Sequence, residues 1–177
     1  MAFWSKKKEE AKKEEIKLID LVPDAYKTFA NKIRGKNIRA LIEIAPSIIE
    51  ADGKGQKSKW FGNILLALDR KDASGNFVLN AAERKKQLTQ IYAILNEAIT
   101  LANPLFISYK KDLLDQVIKT TKSESQLHDL KRLLPTHHWR IINGFIDNQQ
   151  ITGTLILVGK AIDCLDANME YIKREIA

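Results

Sequence analysis

The 26 residues Ile151–Ile176 constrain the fold more than any other stretch. Ile151, Leu155, Val158, Ile162, Leu165, Met169, Ile172 and Ile176 are spaced alternately by four and three. That spacing puts every one of them on a single stripe of an α-helix, about 39 Å long. Ile156, Leu157, Ala161 and Cys164 make the first half apolar nearly all round, which predicts burial there. Asp163, Asp166, Glu170, Lys173 and Arg174 give the second half a wet face. A short strand at 152–158 is the rival reading, because that run is rich in β-branched residues.

The rest of the 177-residue chain is punctuated for helices. Glycine and proline are few, and apolar residues make up 45% of the sequence, which suits one folded domain. Residues 1–22 form a charged N-terminal helix or tail in this reading, with Lys6–Glu15 alternating basic and acidic blocks, and residues 23–177 a single helical domain. Pro23 closes the first segment. Tyr26, Phe29, Ala30 and Ile33 then mark one helical face, with Gly35 as its C′ residue. Ile38, Leu41, Ile42, Ala45 and Ile49 mark the next, with a kink or a fresh helix expected at Pro46. Ser58 caps a helix carrying Trp60, Phe61, Ile64, Leu65 and Leu68 inward.

A long amphipathic helix over 81–102 presents Leu88, Ile91, Tyr92, Leu95, Ala98, Ile99 and Ala102. Asn103–Pro104 looks like a cap followed by proline at the first helical position, so a new helix is expected there. Two further helices follow, one capped by Ser123 with Gln126 and stopped by Pro135, the other starting near Thr136 with Trp139, Ile142, Phe145 and Ile146 inward. The expectation is therefore an all-α compact multi-helix bundle, about seven to nine helices around a long C-terminal helix.

The formal net charge of +7 favours an anionic partner: an acidic protein, nucleic acid or a membrane surface. No run of about 18 apolar residues exists, so no transmembrane segment is expected. The order of residues after Met1 does not match a secretory leader, and one cysteine, Cys164, permits no internal disulfide. Both fit a cytoplasmic protein, unless a non-cleaved signal directs it elsewhere.

Candidate sites follow from charge and spacing. Leu130–Arg140 is basic and free of acids, and offers Lys131, Arg132, His137, His138 and Arg140 to an anion. Arg84, Lys85 and Lys86 stand at a helix start, the end where positive charge is electrostatically disfavoured, which suggests binding. The competing reading of each is a solvated surface. Asp52–Ser58 carries two lysines and two glycines before a helix but does not meet the phosphate-loop pattern. Cys164 with a histidine and Asp163 or Asp166 would make a nucleophilic constellation, and nothing in the sequence brings these together. The three histidines lack the spacing of a zinc site.

Asp72–Glu83, DASGNFVLNAAE, resembles the calcium loop of EF-hand proteins. The resemblance implies ligands from Asp72, Ser74, Asn76 and Asn80, the Val78 backbone carbonyl, and Glu83. Phe77 stands where the family's glycine makes the sharp turn. Without calcium the same residues make a polar loop in which Asn80 caps the following helix.

These readings converge on a small soluble non-enzymatic interaction protein whose basic surface binds an acidic protein partner. A nucleic-acid-binding accessory protein is the alternative, and a calcium-responsive helical module the second. No cofactor is expected other than that calcium ion. The C-terminal heptad stripe would serve a homo-oligomer if it were not used up within the chain.

Overall fold

The computed structural model describes residues 15–53, 58–120 and 149–177. They form five α-helices: α1 (Asp24–Ile33), α2 (Ile38–Asp52), α3 (Lys59–Leu68), α4 (Ala81–Thr120) and α5 (Gln149–Ile176), preceded by a 3₁₀ turn at Leu18–Leu21. The all-α expectation holds among the described residues. The helices expected around Leu127–Leu134 and Trp139–Ile146, and residues 1–14 of the charged N-terminal segment, lie outside them.

Two partners dominate the packing of α5: it lies chiefly against α4 and α2, while α1 packs on α2 and α4. The predicted stripe explains this. Leu155, Val158, Ile162, Leu165 and Ile172 are buried, and Met169 and Ile176 half-buried. The 152–158 rival strand is helix. The first half of α5 is less enclosed than its composition suggested, since Ile156 is 37% exposed and Lys160 is exposed.

On α1 all four expected residues are buried, Tyr26, Phe29, Ala30 and Ile33. On α2 the buried face is rotated. Ile44 and Ile48 join Leu41 and Ala45 inside, and Ile38, Ile42 and Ile49 lie at its margin. The helix has apolar residues on more than one side, so neighbours rather than periodicity choose the inward stripe.

Neither internal proline breaks its helix. α2 runs through Pro46, and α4 runs as one helix of 40 residues, about 60 Å, through Pro104. The expected helix boundary at Asn103–Pro104 is thus absent, and two expected helices are one. The reason lies in what flanks the proline. Asn103 and Pro104 face solvent, while Ala102 at 0% and Phe106 at 7% exposure pack inward on either side. Burial on both sides outweighs the roughly 3 kcal/mol that an interior proline costs.

Within α4, Ala81–Asp112 is long and apolar enough to cross a membrane by length and composition. Its Leu88, Ile91, Leu95, Ala98 and Ala102 belong to the bundle's core.

Before α1, Leu18 and Val22 also enter the core. A side-chain clip holds this segment. The Leu18 N–H donates to Gln87 Oε1 at 2.8 Å, and Gln87 Nε2 donates to the Ile16 carbonyl at 3.0 Å. One amide on α4 thereby satisfies a donor and an acceptor that no regular helix would pair.

Candidate functional site

The loop from Asp69 to Asn80 joins α3 to α4 and folds on itself. Asp72 Oδ1 accepts the N–H groups of Ser74 at 2.9 Å and Asn76 at 3.0 Å. The Asp72 N–H donates to the Asn76 carbonyl at 2.8 Å, and the Val78 N–H to the Arg70 carbonyl at 3.0 Å. Gly75 takes the turn with φ +82°. Phe77 is half exposed, with the Lys71 ammonium 5.2 Å over its ring. Asn80 caps α4 by accepting the Glu83 N–H at 2.9 Å.

The carboxylate of Asp72 is therefore engaged by backbone, and the side chains of Ser74, Asn76 and Glu83 are exposed. Among the described residues no group of three or more His, Cys, Asp and Glu side chains is gathered as a metal cage.

Glu83 opens α4, followed by Arg84, half-buried, and Lys85 and Lys86, both exposed. The other basic candidates, Lys131, Arg132, His137, His138 and Arg140, lie outside the described residues, as do residues 54–57 of the glycine–lysine loop.

Cys164 is half-buried beside a polar node at which four elements meet. Asn168, 1% exposed on α5, sits at its centre. Its Nδ2 faces three acceptors: Asp52 Oδ1 at 2.6 Å, the Cys164 carbonyl at 2.8 Å and the Tyr26 hydroxyl at 3.2 Å. Its Oδ1 accepts from Ser58 Oγ at 2.6 Å. A carboxylate and a carbonyl only accept, so the amide orientation follows from its neighbours.

Tyr26 also donates to Asp52 Oδ1 at 2.9 Å, and Ser58 accepts the Phe61 N–H at 3.3 Å, the cap expected of it. The Trp60 ring lies 5.0 Å from that of Tyr26, and its Nε1 finds no partner among the described residues. Burial, and then the Asp52 carboxylate, push the Tyr26 phenol far above its ordinary range. The same two causes push the Cys164 thiol up to about 12. A nucleophilic cysteine needs the opposite shift, and the node's hydrogen bonds join four elements.

A different basic surface emerges at the α1–α2 turn, one that no sequence motif marks. Ala25–Ile42 holds Lys27, Lys32, Arg34, Lys36 and Arg39 and no acid. Its signal in the sequence is that acid-free run of positive charge. Gly35 makes the turn with φ +67°, and Asn37 caps α2 by accepting the Arg39 N–H at 3.0 Å. The first turn of α2 contains no acid to offset its positive dipole end.

Lys32, Arg34, Lys36 and Arg39 are all exposed. Arg34 pairs with Glu97 of α4. Lys32 and Lys36 stand at the edge of an open cleft of about 300 Å³ whose other wall is α2, with Ala40, Ile44, Ser47 and a single acid, Glu43. The arrangement is a positive rim around a shallow, partly apolar depression.

No family model matches the chain, and no curated protein or solved structure matches it either.

Proposed function

We propose that the protein is a small, non-enzymatic interaction module that binds an acidic protein segment, and that the α1–α2 turn is its principal contact. The observation that carries this reading is the acid-free run Ala25–Ile42, whose exposed Lys32 and Lys36 line the cleft and whose Arg39 is exposed in the first turn of α2. Two lysines at a partly apolar depression suit a peptide with carboxylates flanking one apolar side chain. Positive potential steers the encounter, and the depression gives the register. Arg84, Lys85 and Lys86 put further positive charge at the start of α4.

The test sets polyglutamate against single- and double-stranded oligonucleotides, each titrated by fluorescence anisotropy from low to high salt. Polyglutamate should bind, and the combined Lys32→Glu, Lys36→Glu and Arg39→Glu variant should lose at least about tenfold in affinity at low salt. Tight, log-linearly salt-sensitive binding of oligonucleotides alone moves the protein to the nucleic-acid-binding alternative. Binding to neither at low salt removes both.

The calcium reading draws on the placement of the 72–83 loop between two helices, with α4 starting at the loop's tenth residue, Ala81. It predicts a rise in Tm at millimolar calcium that Glu83→Gln abolishes; an unchanged wild-type Tm ends it.

A further inference from the structure

The loop between α3 and α4 projects from its end of the bundle, since residues 69–77 are exposed without a break. Its shape is held from within. Lys71 and Phe77 face each other across an antiparallel bridge, Gly75 turns the chain at φ +82°, and Asp72 Oδ1 gathers the N–H groups of Ser74 and Asn76. The loop buries an apolar side chain where the core can take it: Leu79 is 5% exposed. Phe77, beside the turn, stays outside at 49%, and Leu66, in the last turn of α3, at 72%.

Cations flank these two side chains. Lys71 holds its ammonium 5.2 Å over the Phe77 ring. Lys85 and Lys86 follow, exposed, near the start of α4, the end where a helix dipole disfavours positive charge. The stretch 69–86 has five basic residues against three acidic ones, Asp69, Asp72 and Glu83, and the Asp72 carboxylate is engaged by backbone N–H groups. A single exposed apolar side chain needs no explanation. Two large ones at one end of a helix–loop–helix unit, among cations, have the make-up of a surface that meets lipid: apolar groups enter the headgroup layer while ammonium groups stay at the phosphates. The start of α4 lies roughly 20 Å along the helix from Glu97, the partner of Arg34, so this end is separate from the basic α1–α2 turn.

We propose that the α3–α4 loop docks the protein on an anionic lipid bilayer, with the Phe77 ring, and the Leu66 side chain at the same end of α3, entering the interface while Lys71, Lys85 and Lys86 meet the headgroup anions. Shape and composition favour a bilayer over an acidic protein. A projecting loop suits a broad flat surface, whereas a peptide needs a groove to set its register. An exposed aromatic ring beside the turn has a place at the boundary of headgroups and acyl chains, and none in the hydrated field of a polyanion. The lysines supply an attraction that acts within a Debye length, and the ring supplies a contact that salt does not screen. Binding strength on such a surface is the sum of the two.

The test is sedimentation of the full chain with phosphatidylcholine vesicles containing about 30% phosphatidylserine, and with pure phosphatidylcholine vesicles, at about 0.1 M salt. EDTA is present, so that calcium plays no part at the same loop. The anionic vesicles should bind at least about tenfold tighter than the neutral ones. Leu66→Ala with Phe77→Ala should lower the affinity at least about tenfold, and Lys71→Glu with Lys85→Glu and Lys86→Glu by a similar factor. Both sets replace exposed side chains, and an unchanged Tm shows the fold intact. Phe77→Trp should gain tryptophan quenching by brominated acyl chains over the wild type. The combined Lys32→Glu, Lys36→Glu and Arg39→Glu variant, which tests the α1–α2 turn, should keep its vesicle affinity within about threefold. Wild-type protein that stays in the supernatant with both vesicles overturns the proposal, and polyglutamate binding lost in the Lys71, Lys85 and Lys86 variant would then assign the loop to an acidic protein. Full binding by the Leu66 and Phe77 variant overturns it as well, since charge alone would then hold the protein, as does vesicle binding abolished by the changes at the α1–α2 turn.

Discussion

Cys164 shows how a neighbourhood decides what a functional group can do. Its thiol is half-buried next to the Asp52 carboxylate, and its pKa is pushed up to about 12. At pH 8 almost none of it is thiolate, whereas an unfolded cysteine, near 8.5, is partly ionised. Alkylation by iodoacetamide at pH 8 should therefore run at least about 100-fold slower in the folded chain than in urea. Equal rates would refute the assignment. The linkage has a definite sign. A pKa raised by folding means that the folded state holds the proton more tightly. The contribution to stability is fully present below about 8.5 and is lost as pH rises toward 12. Cys164→Ala should lessen the decline in Tm across that alkaline window, and leave the pH dependence below 8 unaltered.

Helices, unlike single groups, carry their own inconsistency when a proline lies inside. α4 tolerates Pro104 because Ala102 and Phe106 are anchored on the core to either side. The carbonyl of Thr100 lacks the N–H that any other residue at 104 would supply, while the Thr100 hydroxyl bonds back to the Asn96 carbonyl at 2.7 Å. Pro104→Ala should restore that backbone bond and stabilise the protein by about 1–2 kcal/mol, the helix gain less the unfolded-state freedom that alanine adds. A fall in the urea midpoint would show that the proline at 104 is needed for packing.

The same helix marks how far the sequence could be followed. Local signals were legible: the caps at Ser58 and Asn80, the turn at Gly35, and the inward faces of α1, α3 and the first part of α4 each depend on neighbours within one or two turns. Pro104 was misread because its local signal says start and only distant packing says continue. The α2 face was off by part of a turn for the same reason. The basic surface of the α1–α2 turn was present in the sequence as an uninterrupted charge run. Its cleft was not, because Lys32 and Ile44 meet only after two helices pack.

On the scale of the whole molecule, the polar node matters most. Tyr26, Asp52, Ser58 and Asn168 belong to α1, α2, the cap of α3 and α5, so one amide fastens four parts of the bundle. Asn168→Ala removes it and leaves buried polar partners behind, which should cost about 2–3 kcal/mol. Circular dichroism and intrinsic fluorescence should report the loss as a single, coincident lowering of Tm. Two separated transitions would mean that the elements do not depend on one another through this residue.

No sequence motif announced the node, since an asparagine in an apolar stripe looks like an interruption until its partners, more than a hundred residues away, are known. Asn168 stands 116 residues from Asp52, 142 from Tyr26 and 110 from Ser58. A chain emerging from the ribosome makes α1, α2 and α3 long before the group that fastens them exists. Until then Tyr26 and Asp52 have only each other, Ser58 has only its cap bond from the Phe61 N–H, and nothing joins the two pairs. Helical bundles built from sequential neighbours assemble rapidly because their contacts are local. This one has its decisive contacts at the far end of the chain, so its core closes after synthesis has passed residue 168, and its refolding should be slow for an all-helical protein of its size.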